Sequence, residues 1–284
     1  MSRYLAHRYH MCAYFQDRKV AELVVEKGSR EIEILRVKNG QGTREMDQVV
    51  EESPLTLFFN EQELVTLLCS PRDLKYLAVG FLRSEGLLGS LEELDSVLLD
   101  DERNIVFVKT KGQTNLAEKL YGKRTITSGC GKGTVFFHAL DSLKSKAVTS
   151  NIRVKGEILF PLMRDLQDRS VLFKATGGVH SAALADTEQI LVYNEDIGRH
   201  NAMDKIVGEC LIKGISLSDR ILLTSGRLSA EIVLKGAKMG LPLIVSRSAP
   251  SSLAVEIADK VGITLVGFLR GKRFNIYTHG ERIL

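Results

Sequence analysis

The chain has 284 residues, 44% hydrophobic and 26% charged, with a formal net charge of +4 and no tryptophan. That length carries one large domain or two modest ones, with a core that needs no staples. The mild positive charge permits an anionic ligand but gives no sign of a nucleic-acid coat, and no apolar run nears the ~18 residues of a membrane span.

Residues 1–10 carry Arg3, His7, Arg8 and His10 but no apolar stretch of leader-peptide length, so a cytoplasmic protein is expected. After them, Ala21–Glu26 and Glu31–Val37 read as short strands, the second ending at the turn signal Asn39-Gly40. Leu55–Phe59 and Leu64–Leu68 flank Asn60-Glu61 and read as a hairpin. Ser70-Pro71-Arg72-Asp73 opens a helix, with Ser70 as cap and proline in the first turn. Leu74, Leu77, Ala78, Phe81 and Leu82 give it an apolar stripe, and Gly86 ends it. Strands follow at Ser96–Leu99 and Asn104–Lys109, then a glycine-rich loop around Cys130 and a helix over Thr134–Leu143. The polar stretch Lys144–Lys155 reads as a linker.

The second half alternates. A helix over Glu157–Leu166 precedes strands at Val179–Ala185 and Ile190–Tyr193 and a helix over Gly198–Leu211. Strands at Ile221–Thr224, Leu243–Ser246 and Ile263–Leu269 enclose helices at Ser229–Met239 and Ser251–Val261. This pattern predicts crossover units and a mixed, largely parallel sheet covered on both faces. The fold class is therefore α/β, with a smaller β-rich domain over residues 1–146 and an α/β domain over 147–284.

Cys12, Cys69, Cys130 and Cys210 are far apart, and no C-x-x-C pair occurs, so neither a zinc ribbon nor a dithiol site is expected. Cys69 and Cys210 sit among apolar neighbours and read as core. Cys130 differs. It lies in Lys123-Arg124-Thr125-Ile126-Thr127-Ser128-Gly129-Cys130-Gly131-Lys132-Gly133, where Arg124 and Lys132 favour its thiolate. A reactive sulfur on a loop is one reading; a tight turn that accepts a small side chain is the other.

Polar clusters follow the strands, where ligands of open α/β sheets bind. Thr224-Ser225-Gly226-Arg227 offers backbone amides and a guanidinium to a phosphate, or is an ordinary loop before a cap at Ser229. Phe268-Leu269-Arg270-Gly271-Lys272-Arg273 sets three cations beside an aromatic, which suits a phosphorylated ligand with a stackable base; a solvated charge run is the plainer reading. Arg247 follows another strand. His180, after a glycine pair, reads as a satisfied structural histidine before it reads as a proton shuttle. Asp196 and His200 are four apart at a helix start, spaced to pair; capping and salt bridging explain them equally.

Several segments then agree in order with one family. Thr176-Gly177-Gly178-Val179-His180, the run Asn194 to Lys205, Thr224-Ser225-Gly226-Arg227-Leu228-Ser229 and Tyr277-Thr278-His279 together resemble the formate dehydrogenase accessory sulfurtransferase family, FdhD. The resemblance implies a cytoplasmic homodimer with a cytidine-deaminase-like second half. It implies a persulfide carrier at Cys130 that takes sulfur from a cysteine desulfurase. It further implies delivery to the bis-molybdopterin guanine dinucleotide cofactor of formate dehydrogenase, bound as cargo by Phe268, Leu269, Arg270, Gly271, Lys272 and Arg273. Arg227 and Arg247 are expected to help hold its phosphates, with no resident metal.

Some members carry a second cysteine three residues after the first; here that position is Gly133. A one-cysteine relay needs no such partner. The alternative is a cofactor-binding chaperone that inserts the cofactor without a covalent sulfur step. A zinc hydrolase on the same scaffold is a third reading, weakened because no Pro-Cys-x-x-Cys segment occurs.

Overall fold

The computed structural model of the chain describes residues 28–112 and 147–284. Cys12, Cys130 with its loop, and the elements expected over Ala21–Glu26 and Thr134–Leu143 lie outside the described residues.

Strands β1 (Ser29–Lys38) and β2 (Gln41–Val50) form a two-stranded antiparallel ribbon. Asn39 and Gly40 close it with φ of 52° and 79°, the left-handed backbone that a two-residue hairpin requires. The sequence does not announce β2, because its exposed, charged residues lack apolar alternation. Pairing with β1 keeps it extended.

A four-stranded sheet follows, in the order β4-β3-β6-β5. It comprises β3 (Ser53–Phe59), β4 (Gln62–Cys69), β5 (Leu94–Asp100) and β6 (Ile105–Thr110). Leu55, Leu57 and Phe59 alternate along β3 onto one face, where they pack with Leu74, Leu77, Ala78 and Leu82 of α1 (Leu74–Glu85). Each such leucine stabilises by about 1.5–3 kcal/mol relative to exposure. Gly86 ends α1 with φ 74°, as expected. Its start differs: the cap position is Asp73, and Ser70 instead accepts a hydrogen bond from the Ile197 backbone at 3.0 Å.

The larger sheet has six strands in the order β12-β11-β10-β9-β7-β8. These are β7 (His180–Ala185), β8 (Ile190–Asp196), β9 (Ile221–Thr224), β10 (Leu243–Ser246), β11 (Thr264–Arg270) and β12 (Arg273–Thr278). One face packs on α2 (Leu159–Asp168), beside which lies the short α3 (Val171–Thr176). The other packs on α4 (Arg199–Lys213), α5 (Ala230–Lys238) and α6 (Ser252–Val261).

Both faces are covered, but the sheet is not largely parallel. Only the β9–β10 and β10–β11 pairs are parallel; β8–β7, β7–β9 and β11–β12 pair antiparallel. The cause is connection length. Helices link the parallel strands, whereas β7–β8 and β11–β12 are hairpins, which force reversal. In the first, the Asp186 carboxylate accepts from the backbones of Glu188 and Gln189, both at 2.8 Å. The second turns at Gly271, φ 59°.

The stretch expected as a linker is strapped down from residue 147 on. Val148 donates its N–H to Val261 at 2.8 Å, and Val154 bridges to Ile283.

Helices α1 and α4 cross at Gly80 and Gly208. A Cβ on Gly80 would stand 1.7 Å from the Asp204 carbonyl oxygen, and one on Gly208 1.9 Å from that of Tyr76. Only glycine permits this approach, which ties the four-stranded sheet to the six-stranded one. No helix among the described residues is long and apolar enough to cross a membrane.

Candidate functional site

Strand direction gathers the candidate residues. The carboxyl ends of β8, β9, β10 and β11 share one edge of the large sheet with the amino ends of β7 and β12. Asp196, Thr224, Ser246 and Arg270 end strands there, and His180 and Arg273 begin them. The polar loops singled out in the sequence therefore form one continuous rim.

On the α2 side of this rim lies a cleft of about 180 Å³ lined by Phe160, Met163, Arg164, Gln167, Arg247, Leu269, Arg270 and Gly271. Arg270 donates its Nε–H to the Arg247 carbonyl at 2.8 Å and lies 5.9 Å from the centre of the Phe268 ring. Phe268 has φ 53°, within a bulge that interrupts β11–β12 pairing between Gly267 and Arg270. A bulge there turns the aromatic outward, where it is 36% exposed. Leu269 points the other way. It is 1% exposed, a member of the core beneath the cleft that contributes shape rather than polar contacts.

Lys272 and Arg273 are exposed at the hairpin that joins β11 to β12. The segment read as a strand end with a charge run is thus a β-hairpin tip. Arg164 was not singled out in the sequence. It belongs to the polar side of an amphipathic helix, and only the packing of α2 on the sheet brings it to Arg247 and Arg270. Arginine side chains around a concave surface, next to an exposed aromatic, suit phosphate and a planar base.

Arg227 stands apart from this cleft. Its charge acts on Arg199 and His180, on the α4 side of the rim. The expected pairing of Asp196 with His200 does not form. Asp196 pairs with Lys205 at 2.7 Å, both 0% exposed, and accepts from the backbones of Ser70 and Gly198 at 3.1 and 2.8 Å. Lys205 also donates to the carbonyls of Ser70 and Glu195. His200 turns to α5, with Nε2 3.0 Å from Glu231 and 3.3 Å from the Ser229 hydroxyl. Burial pushes the Glu231 carboxyl up, but the His200 hydrogen bond and the charges of His200, Lys235 and Arg199 bring it below its ordinary value.

Of the described cysteines, Cys69 and Cys210 are buried as expected. Burial, aided by the Asp196 charge, pushes the Cys69 thiol up to about 12; burial, aided by Glu209, does the same for Cys210. Neither is a thiolate at neutral pH. Among the described residues, no group of three His, Cys, Asp or Glu side chains is placed to hold a metal.

Known proteins share this chain's sequence and fold. It is 42% identical over 251 residues to the sulfur carrier protein FdhD of Bacillus subtilis, spanning 88% of this chain and 96% of that one. The sulfur carrier protein FdhD of Bacillus pumilus is 44% identical over 250 residues, spanning 88% and 95%. Among solved structures, a protein from Desulfotalea psychrophila described as a formate dehydrogenase accessory protein superposes with a TM-score of 0.75 at 26% identity, spanning 90% of this chain and 99% of that one. The FdhD/NarQ family model matches residues 50–284, which take in the glycine crossing, the rim and the hairpin tip, and the chain belongs to that family.

Proposed function

We propose that this protein is a sulfurtransferase for formate dehydrogenase maturation, carrying persulfide sulfur on Cys130. The Cys130 thiolate attacks the outer sulfur of a cysteine desulfurase persulfide. That S–S bond breaks, the desulfurase cysteine leaves as a thiolate, and a new S–S bond forms on Cys130. Delivery to the molybdenum of a bis-molybdopterin guanine dinucleotide breaks the Cys130 S–S bond. Two external thiols supply the two electrons by closing a disulfide, which takes the departing sulfur to sulfide and returns Cys130 to its thiolate.

The protein's part in the second step is to hold its cargo. Arg164, Arg247 and Arg270 bind phosphate oxygens, and Phe268 offers its face to a guanine. The scaffold is a cytidine-deaminase-like domain used without zinc, in a cytoplasmic homodimer. The observation that carries this reading is the arginine-lined cleft at the strand ends of a chain 42% identical to a named sulfur carrier. Two of the four cysteines, Cys69 and Cys210, are also too buried to react; of the other two, Cys12 and Cys130, it is Cys130 that the sequence sets between glycines and near Arg124 and Lys132, which favour a thiolate.

Gly133 favours a second reading, a chaperone that binds the cofactor without covalent sulfur transfer, because a mechanism built on two loop cysteines has no second thiol here. Mass spectrometry separates the two. After incubation with desulfurase and cysteine, the Cys130 peptide should gain one sulfur atom, removable by a thiol reductant. An unmodified peptide under conditions that load the desulfurase rejects the relay in favour of the chaperone.

A further inference from the structure

Three basic side chains on the α4 side of the rim have no hydrogen-bond partner among the described residues. His180 begins β7, Arg199 begins α4 and Arg227 follows β9. Gly226 passes between the first two: a Cβ there would stand 3.0 Å from the Arg199 Cβ and 3.5 Å from His180 Nδ1. The Arg199 Nε is buried and donates to nothing. The carboxylates whose charge reaches the group are engaged elsewhere, Asp196 with Lys205 and Glu231 with His200. Burial, then the charge of Arg227, lowers the Arg199 pKa; burial, then Arg199 and Arg227, lowers that of His180 against the opposing pull of Asp196, with His200 adding to the repulsion.

Unpaired positive charge crowded in this way destabilises a fold unless a counter-charge arrives from outside. We propose that His180, Arg199 and Arg227 form an oxyanion site for a phosphoryl group. It is separate from the arginine cleft. His180 alternates with Ala182 and Leu184, whose side chains face α4, whereas Ala183 and Ala185 face α2. The two guanidinium groups donate to the phosphoryl oxygens, and the imidazole N–H is a third donor that gains a positive charge on protonation. The site involves no sulfur chemistry and is independent of Cys130.

The test follows the His180 ring nitrogens by NMR in the full chain, the resonance assigned by its loss in His180→Gln. Inorganic phosphate should raise the His180 pKa by roughly half a unit or more, since a bound anion offsets the two arginines. Guanosine diphosphate is the second probe, and the more potent of the two names the source of the group. Arg227→Gln, an exposed substitution that leaves the core intact, should weaken the effect about tenfold. Arg103→Gln, an equal loss of charge on the four-stranded sheet, should not change it. A His180 resonance that ignores both probes at tens of millimolar, or that responds alike in wild type and Arg227→Gln, overturns the proposal.

Discussion

Two groups of charges at the same strand ends behave in opposite ways. Asp196 and Lys205 are buried completely, and polar partners from three elements surround them. His180, Arg199 and Arg227, across the same rim, find no protein hydrogen bonds among the described residues. A fully partnered buried pair fixes structure, because each ion is compensated within the fold. A partly buried and uncompensated cluster points outward, to a ligand. Proximity in sequence separates neither group: Asp196, Arg199, His200 and Lys205 occupy ten consecutive positions.

The contrast is sharpest when the balanced pair is broken. Lys205→Ala leaves Asp196 buried without its counter-ion and should cost about 3–5 kcal/mol, read from urea denaturation. A loss below about 1 kcal/mol would mean that water reaches Asp196 in the fold. Next in size is the close crossing of α1 and α4. Gly208→Ala should cost roughly 1–3 kcal/mol, because α1 must move off α4, while Gly214→Ala in the exposed α4 cap should be smaller and come from its positive φ.

The smallest effect comes from the uncompensated cluster itself. The folded His180 imidazole has a lowered pKa, so the unfolded chain binds more protons in acid. Its contribution to stability is present above the unfolded value of about 6.5 and declines as pH falls below it, until the folded ring itself protonates. His180→Gln should flatten that part of the stability–pH profile and leave the loss at carboxylate pH, to which the lowered Glu231 contributes.

How much of this was legible depended on range. The hairpin at Asn60-Glu61, the α1 stripe and the alternation of the second half are local patterns, and the structure follows them. Strand–helix alternation predicts a mixed, largely parallel sheet because it hides the two hairpins at the sheet's edges, and β12 is hidden because Arg270 to Arg273 reads as a charge run. Ser70, read as a helix cap, serves a loop more than a hundred residues away. The arginine cleft draws on α2, β10 and β11, and the oxyanion cluster on β7, β9 and α4. Residue types suggested anion binding, but no spacing rule could assign Arg227 to one side of the rim and Arg247 to the other.

The proposed sulfur relay depends on Cys130 alone, and labelled sulfur tests it most directly. Wild-type protein loaded by a desulfurase with labelled cysteine, then separated from it, should pass the label to the molybdenum cofactor, and Cys130→Ala should pass none while still binding guanosine diphosphate. Label delivered at wild-type levels by Cys130→Ala would contradict the account.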